Sequence, residues 1–171
     1  MEAMECLITR RSVRSYADRQ VPRDVLEKVL EAGQYAPSAM GRQSAFYIAV
    51  QDRARVRQLS RMNAAVMGAD TDPFYGAPTV ILAFAQPGSR VSMQDATLGL
   101  GNMFNAAHAL GLASCWINRV QEMFDTAEGK ALLREWGVTE PLEGVGSCIL
   151  GYADQALPAP RERRENVIYV G

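Results

Sequence analysis

Two arginine-rich clusters, one near each end of the chain, have the residue types best suited to binding an anion. The first is TRRSVR at residues 9–14, and the second is PRERR at residues 160–164. Side chains of an extended segment alternate between two sides, so Arg10, Ser12 and Arg14 would share one side. A guanidinium group pairs with phosphate through two parallel, charge-assisted hydrogen bonds. Together the clusters indicate a small ligand with a terminal phosphate.

The second cluster follows the same alternation, because Arg161 and Arg163 would also share one side. A plainer interpretation stays open at this point. Arginine supplies 16 of the 18 basic residues, so some clustering is expected by chance, and charge runs usually lie on solvated surfaces. Another alternative is a polyanion-binding surface, which would show strongly salt-dependent binding.

Length and composition predict one globular domain. The 171 residues are 48% hydrophobic and 22% charged, with a formal net charge of −1. A chain of this size buries about 70% of its extended-chain surface on folding. A nearly neutral chain is not expected to bind nucleic acid or an anionic membrane, since both favour basic patches. We therefore predict a single domain over residues 1–171, with residues 157–171 as an extended C-terminal arm.

Cysteine usage and the N-terminal residues predict a cytoplasmic protein without a metal site. Cys6, Cys115 and Cys148 are odd in number and widely spaced, without a C-x-x-C pair, which disfavours a disulfide framework and a zinc site. No basic stretch followed by an apolar run opens the sequence, so no signal peptide is predicted. The longest apolar run, residues 80–85, is too short to span a bilayer.

Hydrophobic periodicity predicts strands that alternate with helices. The predicted helices cover residues 3–9, 22–33, 53–67, 91–110 and 126–136. The predicted strands cover residues 46–50, 78–85, 114–117 and 145–150. This order predicts an α/β or α+β sandwich around a small sheet. Residues 167–170 have strand character but no partner nearby in sequence, so we expect them to dock across a subunit interface.

Six stretches, in order along nearly the whole chain, resemble segments of the nitroreductase family. They are residues 10–16 (RRSVRSY), 36–43 (APSAMGRQ), 74–80 (FYGAPTV), 106–117 (AAHALGLASCWI), 148–152 (CILGY) and 158–163 (PAPRER). Each stretch alone is a weak signal, but six in order are specific. The resemblance implies an α+β fold, a three-layer α/β/α sandwich around a small mixed sheet. It also implies FMN bound between the subunits of a homodimer that exchange their C-terminal strands.

The resemblance further implies the residues that bind FMN. Those at the phosphate and ribityl group would be Arg10, Arg11, Ser12, Arg14, Arg161 and Arg163. Arg11 would point away from the other residues of its segment, so its contact depends on the resemblance alone.

A second set of residues would surround the flavin ring. It consists of Pro37, Ser38, Met40, Gln43, Asn63, Ile117 and Asn118. The resemblance places the first three over the ring from the other subunit and Gln43 at the ribityl group or the polar edge of the ring. Ile117 and Asn118 would flank N5, and Asn63 would reach the pyrimidine edge. Gly41 and Ala45 depart from the residues common in the family, which leaves the acceptor side undefined.

The implied activity is FMN-dependent oxidoreduction. A hydride would pass from NAD(P)H to flavin N5 and then, in a ping-pong mechanism, to an electron-poor acceptor such as a nitroaromatic or a quinone. Because the cofactor carries the chemistry, no catalytic side chain is predicted. The alternatives are a specialised flavin enzyme of the dehalogenase or flavin-fragmenting type, and a flavin-binding module without turnover. His108 and Cys115 are interpreted as packed residues rather than catalytic ones.

Overall fold

The computed structural model describes residues 1–88 and 91–171. Its helices in these residues are α1 (Ala3–Thr9), α2 (Arg23–Gln34), α3 (Arg53–Met67), α4 (Ser92–Ala109), α5 (Val120–Asp125) and α6 (Ala127–Glu135). Its strands are β1 (Ala45–Val50), β2 (Thr79–Ala85), β3 (Ala113–Ile117) and β4 (Glu143–Gly151). Every element except α5 lies within two residues of its predicted boundaries.

Local sequence explains where the best-defined elements begin and end. The side chain of Asp52 caps α3 by accepting a hydrogen bond from the backbone N of Arg55 at 2.8 Å. The same helix ends at Gly68, whose φ of 67° is left-handed and suits glycine. All seven residues of β2 are buried, as expected for an apolar strand covered on both faces.

Helix α5 is the element that the sequence did not predict. It has six residues, and α6 follows after Thr126, whose hydroxyl accepts a hydrogen bond from the backbone N of Gly129 at 3.0 Å. Val120, Met123 and Phe124 are buried. A helix of six residues is not stable alone, so tertiary packing must form it. Its periodicity is also too short to be distinctive.

The four strands form one sheet in the order β1-β2-β4-β3, and all three pairings are antiparallel. After β1, α3 and residues 68–78 carry the chain out and back, so β2 begins where β1 ended and Val50 pairs with Val80. The mixed character predicted for the sheet is confined, in the described residues, to one parallel bridge between Ser12 and Ser114.

Helices cover both faces of the sheet, which confirms the predicted three-layer sandwich. On one face, Ile81 and Leu150 pack with residues of α2 and α4. On the other face, Leu82 and Phe84 pack with residues of α3, α5 and α6. Adjacent residues of β2 thus belong to different core layers, because side chains alternate along a strand.

The C-terminal arm lies outside these layers. Residues 157–171 are exposed and contain no strand in the single chain. Its apolar end is strongly exposed, with Ile168 at 88% and Val170 at 96%. Strand exchange with a second chain therefore stays a prediction. In residues 1–88 and 91–171, no helix combines the length and apolarity needed to cross a membrane.

Candidate functional site

The first arginine cluster lies along the outer edge of β3. Val13 donates a backbone hydrogen bond to the carbonyl O of Ser114 at 3.0 Å, beside the bridge between Ser12 and Ser114. The Val13 side chain is buried, and on an extended segment its neighbours point the other way. Arg14 is exposed, and Arg10 and Ser12 are half-buried. Three of the predicted phosphate ligands, Arg10, Ser12 and Arg14, thus lie together on one strand edge.

Arg11 faces the protein instead. Its Nη1 donates hydrogen bonds to the carbonyl oxygens of Ile8 and Arg10, both at 2.8 Å. Carbonyl groups at a helix C-terminus lack partners within the helix, so this guanidinium satisfies the end of α1. Arg11 therefore fixes the backbone from which Arg10 extends. Its predicted contact with FMN stays a prediction.

His108 supports the same helix end from α4. Its Nε2 lies 2.9 Å from Thr9 Oγ1, and the Thr9 hydroxyl donates to the carbonyl O of Glu5 at 2.6 Å. A hydroxyl has one proton to donate, so Nε2–H of the histidine is the donor to Thr9. Burial, reinforced by Arg10 and Arg11, lowers the pKa of His108. The neutral imidazole of His108 thus has a structural role as the donor to Thr9.

Two buried side chains hold the backbone where β3 ends. Asn63 Nδ2 donates to the carbonyl O of Asn118 at 2.7 Å, and Ser147 Oγ donates to the carbonyl O of Ile117 at 3.2 Å. Both side chains are fully buried. The next residue, Arg119, has a left-handed φ of 78°, which is uncommon for a residue other than glycine. We call Asn63 and Ser147 the turn clamp. Sequence reasoning missed Ser147, because a serine in a strand has no distinctive pattern.

The Asn63 amide faces this turn rather than open solvent. Its Nδ2 is committed to Asn118, and its Oδ1 is buried without a hydrogen-bond partner in the part of the chain that the structure describes. The contact predicted between Asn63 and the pyrimidine edge therefore depends on Oδ1, and it stays a prediction.

The second predicted flavin segment, residues 37–43, is anchored by a residue that the sequence analysis did not identify. Asp95 of α4 is buried, and its carboxylate accepts hydrogen bonds from Ala39 N at 3.1 Å and Ser44 Oγ at 2.8 Å. Within the segment, Ser38 Oγ accepts from Gln43 N at 3.0 Å. The available signal was that Asp95 is the one Asp, Glu, Lys or Arg residue in α4.

This anchoring holds an unusual backbone. Met40 and Gln43 have left-handed φ values of 55° and 52°. Such conformations cost energy for residues other than glycine and cluster at functional sites. The Met40 side chain is 87% exposed, and Pro37 is also exposed. The segment thus presents apolar side chains outward from a rigid base.

A cavity of about 640 Å³ adjoins this segment, and Pro37, Ser38, Gln43, Tyr47 and Asp95 are among its lining residues. The Tyr47 hydroxyl is buried and has no hydrogen-bond partner in the residues that the structure describes. Burial, with a smaller contribution from Asp95, raises the pKa of Tyr47 to about 12. Tyr47 therefore stays protonated at neutral pH and can donate a hydrogen bond.

The predicted residues form two groups within one chain. Residues 10–14, Asn63 and residues 117–118 lie beside β3, whereas residues 37–43 precede β1 at the opposite edge of the sheet. Three strand spacings, about 14 Å in all, separate the two edges. Arg161 and Arg163 lie in the exposed arm without a hydrogen bond or ion pair among the described residues. We call these two groups of predicted residues the half-sites.

Comparison with known proteins gives a consistent result. A sequence model of the nitroreductase family matches residues 7–152. An FMN reductase [NAD(P)H] of Bacillus subtilis (strain 168) is 28% identical over 194 residues, covering 97% of this chain and 72% of that protein. The crystal structure of a nitroreductase with bound FMN from Bacteroides fragilis is 32% identical, with a TM-score of 0.90, covering 100% of this chain and 99% of the other. An FMN-dependent nitroreductase of Clostridium difficile has the same fold, with a TM-score of 0.89, 23% identity and 99% of each chain covered.

Proposed function

Because the chain belongs to the nitroreductase family, we propose that it is an NAD(P)H-dependent FMN oxidoreductase that reduces an electron-poor aromatic or quinone acceptor. One observation carries the proposal. The edge of β3 presents Arg10, Ser12 and Arg14 at one end and the clamped backbone of Asn118 at the other. Anion-binding groups and a fixed polar backbone thus lie along one line about four residues, or roughly 13 Å, long.

The donors and acceptors along this edge fit FMN. Guanidinium groups match a phosphate, and a fully buried amide oxygen, Asn63 Oδ1, has no hydrogen-bond partner among the described residues. A buried polar atom without a partner is unfavourable, so a ligand N–H near it would relieve a real cost. Arg10, Ser12 and Arg14 would hold the phosphate, joined by Arg161 and Arg163 from the arm, and Ile117 and Asn118 would lie at the ring.

When bound, FMN would supply the chemistry of hydride transfer between NAD(P)H and the acceptor, for which we propose a ping-pong order. The chain's own residues would position the cofactor and shield it from water. The turn clamp keeps the carbonyls of Ile117 and Asn118 turned inward, and the phosphate ligands fix the distance to the ring, which supplies proximity. The segment at residues 37–43, from a second copy, covers the ring with Pro37 and Met40 and so excludes water.

Three features support a homodimer with shared sites. The half-sites lie at opposite edges of one sheet, and residues 37–43 have a prepared, exposed apolar surface. Apolar residues of α1 are also exposed, among them Met4 at 68% and Ile8 at 64%. Exposed apolar patches of this kind mark protein interfaces. The arm would cross to the partner and add its strand there.

Three free thiols, all buried, support the predicted cytoplasmic location.

A visible absorption spectrum tests the function. We expect the purified protein, alone or after addition of FMN, to show a flavin band that NAD(P)H bleaches without oxygen and that a quinone or nitroaromatic restores. A band that NAD(P)H does not bleach would favour the flavin-binding module or a specialised flavin enzyme. Absence of a band after FMN addition would contradict the proposal.

The turn clamp gives a further prediction. Asn63→Leu keeps the branching and the number of heavy atoms of the side chain but removes the donor to the Asn118 carbonyl. We expect the free energy of unfolding to fall by about 1–3 kcal/mol, because a partly buried hydrogen bond to the Asn118 carbonyl is lost. We also expect flavin reduction by NAD(P)H to slow several-fold and FMN to bind several-fold more weakly, because Asn63 Oδ1 is lost as well, measured by stopped-flow absorbance and by FMN titration.

Thr79→Val is the matched control. The Thr79 hydroxyl is fully buried and donates to Gln20 at 2.6 Å, at the end of the sheet opposite the clamp. This variant should lose similar stability while its flavin is reduced at the wild-type rate. Equal reduction rates in the Asn63 and Thr79 variants would contradict a positioning role for Asn63.

A further inference from the structure

A second cleft lies on the outer side of the molecule, between α3 and residues 69–78. Its volume is about 740 Å³, which is within the range of small-molecule sites. None of the residues predicted to bind FMN lines it. We propose that this α3 cleft binds a small organic monoanion, namely a carboxylate attached to a flat apolar body. The proposal goes beyond the flavin chemistry and does not depend on it.

The base of the α3 cleft is apolar. Its lining includes Val56, Ala64, Phe74 and Ala77, all of them buried members of the core. Phe74 lies beneath this surface at 1% exposure, and the accessible apolar surface comes from neighbours such as Ala65. A flat hydrocarbon body that covers these side chains would remove apolar surface from water, at roughly 25 cal/mol per Å². This part of the cleft therefore selects for shape and apolarity.

One wall carries a row of arginines. Arg53, Arg57 and Arg61 are four residues apart along α3, so their side chains lie on one face of the helix. Arg53 is paired with Asp18 at 2.6 Å. Arg57 and Arg61 have no hydrogen bond or ion pair within residues 1–88 and 91–171. Like charges four residues apart repel each other, so an anion between the two guanidinium groups would remove an unfavourable interaction.

The opposite wall sets the charge of the ligand. Asp72 is fully engaged, because its carboxylate accepts hydrogen bonds from Phe74 N at 2.9 Å, Gly76 N at 2.6 Å and the Ser60 hydroxyl. Asp70 has no hydrogen bond or ion pair among the residues that the structure describes. Neutral donors leave the charge of Asp72 in place, so the lining has three arginines and three aspartates and no net formal charge. A monoanion can pair with the free arginines Arg57 and Arg61, whereas the two aspartates of this wall would repel a dianionic phosphate more strongly. Arginine also matches a carboxylate with two parallel hydrogen bonds.

The test is a titration of the purified protein, with its bound flavin retained, using 2-naphthoate as the probe and uncharged 2-naphthamide as its isostere. Saturation-transfer NMR reports binding of the probe, and the flavin absorption spectrum reports contact with the ring. We expect saturable binding of naphthoate, at least tenfold weaker binding of naphthamide, and weaker binding of naphthoate as salt screens the arginines. The flavin spectrum should not change.

Three variants locate the site. The double variant R57Q/R61Q should bind naphthoate at least tenfold more weakly, because each charge-assisted contact contributes to affinity. R134Q, an exposed arginine of α6, should bind like wild type. D70N should bind a few-fold more tightly, a change that loss of structure does not produce. Wild-type affinity in R57Q/R61Q, equal binding of the amide and the acid, or a shifted flavin spectrum would each overturn the proposal.

Discussion

Replacing Arg14 and Arg163 by alanine together is expected to leave a folded protein that binds FMN at least a hundredfold more weakly. Both side chains are exposed and make no hydrogen bond or ion pair in the described residues of the chain, so the fold does not depend on them. Each charge-assisted hydrogen bond to phosphate is worth about 1.5–3 kcal/mol, and two such losses correspond to a factor of a hundred or more. Fluorescence titration of apo-protein with FMN measures the change.

The control for this pair is Arg134→Ala together with Arg164→Ala. Arg164 is next to Arg163, but alternation along an extended segment places it on the other side. Arg134 lies on α6, away from the edge of β3. This control removes the same net charge, so general electrostatics would weaken FMN binding equally in both pairs. Retention of wild-type affinity by the Arg14 and Arg163 variant would contradict the assignment of the phosphate site.

Gly144→Ala is expected to lower the free energy of unfolding by several kcal/mol and to impair flavin binding as well. A Cβ at Gly144 of β4 would fall on the backbone N and Cα of Gln121, at the start of α5. Backbone cannot rotate away as a side chain can, so the strand and the helix must separate. Because Arg119 joins Asn118 to the start of α5, this displacement would also shift the backbone of Asn118. Thermal unfolding and FMN titration measure both effects.

Gly101→Ala is the matched control. Gly101 lies inside α4, and a Cβ there would meet nothing within 4 Å. Alanine favours a helix interior over glycine by roughly 0.5–1 kcal/mol, so this variant should be slightly more stable than wild type. If Gly144→Ala unfolds at the wild-type temperature, then α5 does not depend on its close approach to β4.

Elements with a long or strongly apolar pattern could be predicted from the sequence, and those made by distant contacts could not. Helix α3 and strand β2 could be predicted because fifteen residues of helical spacing and six consecutive apolar residues after Thr79 are distinctive. Helix α5 forms because Met123 and Phe124 pack into the core. The placement of β4 between β2 and β3 joins Thr79 with Leu150, and no local pattern encodes such a pairing.

The candidate site shows the same division. The family resemblance identified the outward-facing residues, such as Arg14 and Met40, because family motifs consist largely of residues that contact a ligand. The supporting residues Asp95 and Ser147 were missed, since each acts through hydrogen bonds to backbone or side chains far away in sequence. Arg11 belongs with the supporting residues, although it lies inside the motif.

The two half-sites at opposite edges of the sheet have a consequence for mass action. In the proposed homodimer each FMN is held by both subunits, so the cofactor is also a ligand of the association equilibrium. Dilution that separates the subunits would release FMN, and added FMN would draw the subunits together. A twofold axis makes two equivalent composite sites, so a single substitution in residues 37–43 impairs both. At a fixed concentration of free FMN, flavin occupancy should therefore rise with protein concentration, which a site built within one chain would not show.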